Sequence, residues 1–121
     1  MELKIARGTL NNDVEVITLS GTMNAVTVSG LKELLKKCVA ENSVQIVIDL
    51  DGVNFIDSSG LSSLISALKG CREKGGYLRL ARIQSPVKRV FELTMLDRVF
   101  EMYPTVEAAA RCPVSGIESA E

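Results

Sequence analysis

A chain of 121 residues, 46% hydrophobic and 24% charged, holds material for one globular core and shows no bias toward disorder. Its 14 basic and 15 acidic residues leave a net charge of −1, which provides no electrostatic footprint for DNA or RNA. Histidine is absent, so Ser-His-Asp and Cys-His catalysis are excluded and the commonest metal ligand is missing. Cys38, Cys71 and Cys112 are far apart, odd in number and without CxxC spacing, so neither a zinc site nor a disulfide framework is expected. No cofactor is implied. The first residues lack a signal peptide's apolar stretch, and no run approaches the ~20 apolar residues of a membrane span. A soluble, reduced, cytoplasmic setting is the expectation, with no membrane or nucleic-acid partner.

In chain order, Leu3 and Ile5, then Val14, Val16 and Leu19, mark two strands around the turn-prone Leu10-Asn11-Asn12-Asp13, which predicts a β-hairpin. A loop over Thr22–Thr27 leads into a helix whose buried stripe is Leu31, Leu34, Leu35, Cys38 and Val39. Val44–Leu50 is apolar and β-branched on both faces, as a central strand covered on two sides requires. Asp57-Ser58-Ser59 supplies N-cap chemistry for a second helix, with Leu61, Leu64, Ile65 and Leu68 inward and a left-handed cap at Gly75-Gly76. Tyr77–Ala81 is a further strand. Ser85-Pro86 reads as an N-cap followed by proline at the first helical position, with Val87, Val90, Phe91 and Met95 facing inward. Val99–Met102 forms a last strand, and Val106 to about Arg111 a final helix. The order ββαβαβαβα predicts an α/β fold: an antiparallel hairpin, then parallel strands, in one mixed sheet covered by four helices. One domain is expected over 1–112, followed by a flexible tail over 113–121.

Several candidate motifs fail on their chemistry. Gly70–Gly76 spaces two glycines like a phosphate-binding loop, but Gly76 and Tyr77 stand where Lys and Ser/Thr are needed. It reads as helix termination. Asp49 and Asp51 read as a solvated strand end and not as a magnesium site. Lys88 and Arg89 read as a solvated helix face. The turn Asp57-Ser58-Ser59-Gly60-Leu61 differs, because it follows a buried strand and opens a helix. It therefore emerges at the carboxyl edge of the sheet, beneath unpaired N–H groups and the positive end of a helix dipole. Gly60 leaves room for a partner to approach the backbone. A nucleophilic serine is excluded, since neither a G-x-S-x-G elbow nor a histidine base exists. A modified serine or a recognised surface remains.

Those residues, with Leu19–Asn24, Val47–Leu50, Phe55–Leu61, Gly75-Gly76, Ser85–Phe91 and Phe100–Ala109, resemble the STAS domain family, within it the bacterial anti-sigma factor antagonists. The resemblance runs from about Leu3 to Arg111. It implies a non-enzymatic switch: Ser58 is phosphorylated by an anti-sigma factor serine kinase, and a PP2C-type phosphatase reverses the modification. The unphosphorylated form binds the kinase and frees a sigma factor. Partner contacts are implied for Asp57, Ser59, Gly60, Leu61, Ser62, Met23 and Asn24. The family usually carries an acid in the loop after the first long strand, where this chain has Asn24. The alternative is a STAS adaptor that binds constitutively, in a stress-signalling assembly or a lipid-transport complex.

Overall fold

The structure, a computed structural model, describes residues 2–11 and 13–111. Strands β1 (Leu3–Leu10) and β2 (Val14–Met23) form the hairpin, with Leu3 opposite Gly21 and Leu10 opposite Val14. Helix α1 (Ser29–Ala40) leads to β3 (Gln45–Ile56), and α2 (Ser58–Glu73) to β4 (Tyr77–Ala81). Helix α3 (Ser85–Leu93), a 3-10 turn at Leu96–Arg98, β5 (Met102–Tyr103) and α4 (Val106–Arg111) complete the order. The strands lie in the sheet as β1-β2-β3-β4-β5, antiparallel at the first pair and parallel thereafter. The expected mixed sheet with four helices in the order ββαβαβαβα is what forms. The tail read at 113–121, and Cys112, lie outside the described residues.

Period-two alternation divides the central strands between two cores. Ile46, Ile48 and Leu50 of β3 and Leu78 and Leu80 of β4 pack with Leu31, Leu35, Leu64, Leu68, Val87 and Phe91 from α1, α2 and α3. Val47, Tyr77 and Ala81 point the other way, toward Val14 and Ala109 of α4. The same alternation splits β2: Ile17 and Leu19 join the first core and Val14 the second, so Val14, Val16 and Leu19 do not share a face. Helix α2 ends as its glycines predict. Gly75, at φ +81°, follows the C-cap Lys74, while Gly75 and Gly76 donate their N–H groups to the carbonyls of Arg72 and Cys71 at 3.0 and 2.8 Å.

Several details depart from the sequence reading. Strand β3 runs on through Gly52-Val53-Asn54-Phe55 to Ile56, so Asp49 lies inside a strand and is 4% exposed. Its two carboxylate oxygens accept from Arg82 Nε and Nη2 at 3.1 and 2.8 Å, which compensates the buried charge. Asp49 is therefore the buried half of an ion pair whose arginine is exposed, and no solvated strand end; of the two carboxylates, Asp51 alone is exposed. Gln84, not Ser85, is the N-cap of α3, which moves Ser85 to the first helical position and Pro86 to the second. Met95 does not face inward. The helix stops at Leu93, and Met95 takes a left-handed backbone (φ +63°) that turns its side chain outward, 57% exposed. The last strand starts at Met102 and not at Val99, because the 3-10 turn occupies the preceding residues.

Helix α4 is held to the sheet by Arg79, 1% exposed in the middle of β4. Its Nε donates to Glu101 at 2.7 Å and its Nη1 to the Ala109 carbonyl at 2.9 Å, while the guanidinium lies 3.8 Å from the Tyr77 ring centroid. A planar donor fork stacked on a ring is a role lysine cannot fill. Arg79→Met is expected to lower stability by about 2–4 kcal/mol, and Arg79→Lys to recover less than half of that, in urea titrations. Burial also raises the pKa of the Cys38 and Cys71 thiols, the latter from 9.0 to about 11. The unfolded chain then releases thiol protons before the folded one does, so this stabilisation is complete below pH 9 and lost toward about 11. Urea midpoints are expected to fall across that window, and to fall less in Cys71→Ala.

Candidate functional site

The site forms where the ends of β2 and β3 meet the start of α2. Asp57 leaves β3 with an extended backbone and donates its N–H to the Met23 carbonyl at 3.0 Å, so the two strand ends are tied together. Asp57 is the N-cap: its Oδ1 accepts from the N–H groups of Ser59 at 2.9 Å and Gly60 at 3.2 Å. These are two of the donors that a helix start leaves unpaired, and satisfying them typically contributes ~1 kcal/mol. Ser58 is the first residue of the helix and is exposed. Its hydroxyl thus stands at the positive end of a 16-residue helix, beside one carboxylate already engaged with the backbone.

The structure sorts the sequence-chosen residues by depth. Ser58 and Ser62 are exposed one turn apart, and Ser59 and Asp57 are half-buried. Gly60, Leu61 and Met23 are buried. Gly60 is glycine for a different reason from the one expected. A Cβ there would stand 2.7 Å from Ile56 Cγ1 and 3.1 Å from Met23 Cβ, so the neighbour that approaches this backbone is the chain itself. Leu61 and Met23 belong to the core beneath the turn, and Ser63 adds a hydrogen bond to the Gly60 carbonyl at 2.7 Å. Ser58 therefore rests on a packed floor and not on a mobile loop.

Asn24 shapes the facing loop. Its Oδ1 accepts from the N–H groups of Val26 and Thr27, each at 3.0 Å, while Thr27 Oγ1 donates to the Thr22 carbonyl at 2.6 Å. This closed turn carries the chain from β2 into α1 and needs an acceptor side chain at position 24, not a charge. Sequence reasoning missed two neighbours of the site as surface features: Val26 is 83% exposed and Phe55 is 50% exposed. The signal for Phe55 was present, because a strand that buries Ile56 turns residue 55 to the opposite side.

Among the described residues, no group of three or more carboxylate, thiol or imidazole side chains stands together to hold a metal. No described helix is long and apolar enough to cross a membrane. Lys88 and Arg89 are exposed on α3. The chemistry that the arrangement offers is an accessible hydroxyl, a capped helix start and a rigid edge.

A profile of the STAS domain matches residues 8–109. The chain belongs to the STAS domain family. It is 30% identical over 99 residues to the anti-sigma-F factor antagonist RsfB of Mycobacterium tuberculosis, an alignment covering 82% of this chain and 80% of that protein. It is 30% identical over 86 residues to the anti-sigma-B factor antagonist of Listeria monocytogenes, covering 71% and 75%. Among solved structures, a putative anti-sigma factor antagonist from Thermotoga maritima superposes with a TM-score of 0.81 at 25% identity, over 87% of this chain and 90% of that one.

Gly60→Ala is expected to cost about 1–3 kcal/mol by overpacking against Ile56 and Met23. Asp57→Ala is expected to cost about 0.5–2 kcal/mol and Asp57→Asn only a fraction of that, since asparagine also caps. Chemical denaturation of the three variants checks both.

Proposed function

We propose that this chain is an anti-sigma factor antagonist whose unphosphorylated form binds an anti-sigma factor serine kinase and so releases a sigma factor. Phosphorylation of Ser58 switches that binding off, and a PP2C-type phosphatase restores it. The observation that carries the reading is the placement of Ser58: an exposed hydroxyl on the first residue of α2, at the carboxyl edge of the sheet. The names of the relatives support the same role, since RsfB and the Listeria protein are anti-sigma factor antagonists.

The chemistry asked of the chain is modest. Ser58 Oγ accepts the γ-phosphoryl group of ATP held by the kinase and loses its proton, and ADP leaves. No group on this chain acts as base or metal ligand in that step, so the chain is substrate and not enzyme. The new group brings about −1.5 to −2 charges to an uncrowded surface position. The start of α2 attracts that charge, while the Asp57 carboxylate beside it repels it. The floor of Gly60, Leu61 and Met23 has no need to rearrange, so the switch acts on the contact surface and leaves the fold in place. Asp57, Ser59, Gly60, Leu61, Ser62, Met23 and Asn24 divide the work: Ser59 and Ser62 present polar surface, and the others hold it in position.

Incubation with the kinase and ATP is expected to place one phosphate on Ser58 by peptide mapping, and none there in Ser58→Ala. Ser58→Asp is expected to bind the kinase about 5- to 150-fold more weakly than wild type. Phosphate incorporation unchanged in Ser58→Ala would overturn the site. Kinase binding indifferent to both variants would favour a constitutive adaptor.

A further inference from the structure

We infer that the edge beside Ser58 docks on an apolar part of the partner's face, next to the kinase's nucleotide, with Val26 and Phe55 as its anchors. This rests on the reading that an anti-sigma factor docks there. The first observation is exposure. The large apolar side chains exposed among the described residues are Val26, Phe55, Leu93, Met95 and Val99, and the first two lie at the carboxyl edge. Phe55 precedes Asp57 by two residues and pairs in register with Thr22, and Val26 follows Met23, whose carbonyl holds Asp57, by three.

The second observation is rigidity. Val26 projects from the turn closed by Asn24 Oδ1 and by the Thr27 hydroxyl. An apolar side chain ordered before binding loses little conformational freedom when it enters a socket. Asn24 is thus a positioning residue for Val26.

The third is charge. No residue from Val16 to Leu31 is charged, and from Gly52 to Leu68 the only charge is Asp57. The charged residues that bound these two segments in the sequence, Glu15 and Lys32, Asp51 and Lys69, differ in sign and form no single-signed run. A partner of high charge has nothing to pair with here, whereas an apolar pocket rimmed by hydrogen-bonding groups matches the serines, Val26 and Phe55. The phosphoryl group on Ser58 then enters a contact that carries no compensating cation from these two segments. Its desolvation opposes docking more than it would on a surface rich in arginine.

Serine kinases of the anti-sigma type from the source genome are purified and titrated calorimetrically with the wild-type chain, Val26→Asp and Phe55→Ser. For the kinase that binds wild type, Kd is expected to change less than about threefold between about 50 and about 500 mM salt. Each variant, with an unchanged melting temperature, is expected to bind at least about tenfold more weakly. A salt effect of about tenfold or more, or Val26→Asp binding within about twofold of wild type, overturns the inference and leaves the antagonist reading intact. Failure of every kinase to bind wild type overturns both.

Discussion

The hydrogen bond from the Asp57 N–H to the Met23 carbonyl is the link on which the rest of the site depends. It joins the end of β2 to the start of α2 across the top of β3, so the loop after β2 and the serine-bearing turn cannot move independently. Above that link, Asp57 caps the helix with its side chain; beside it, Gly60 lets Ile56 and Met23 close in. One residue thus uses its backbone to connect strands and its carboxylate to begin a helix. The exposed Ser58 owes its fixed position to both.

Most of this architecture was legible in the residues, for reasons that are local. The stripe Leu31, Leu35, Cys38 and the run Ile46–Leu50 carry their periods openly, and the glycines at 75 and 76 mark the end of α2. The turn itself announces its capping chemistry. What was misread depended on distant partners or on where an element stops. Asp49 looked solvated because its partner Arg82 lies 33 residues away and reaches it from a left-handed backbone that no pattern encodes. Met95 fits an inward stripe only if α3 continues, and the chain leaves the helix after the C-cap Thr94 by the left-handed backbone of Met95 itself. Gly60 was assigned room for a visitor, because the neighbours that fill that room belong to other elements. Asn24 was readable as a loop former, yet its effect on Val26 follows only from the closed turn.

The two faces of the sheet are stabilised by different physics. One buries aliphatic and aromatic side chains under three helices, including an edge-on pair of Phe91 and Phe100 with ring centroids 5.5 Å apart. The other carries the charged residues Asp49 and Arg79, each paired, under the single short helix α4. A small second core with polar contacts is weaker per unit area but directional, which suits a helix of six residues that must find one seat.

The sequential order of the strands has a consequence for how the chain reaches this shape. Each strand pairs with the one before it in the sequence, so no pairing waits for a segment made much later. Closing any ladder requires bridging one turn or one helical crossover, which keeps the entropic cost of loop closure low. A nascent chain can therefore add β3, then β4, then β5 to an edge that already exists. The turn bearing Ser58 reaches its final surroundings once β2, β3 and α2 have assembled, before the last third of the chain is needed.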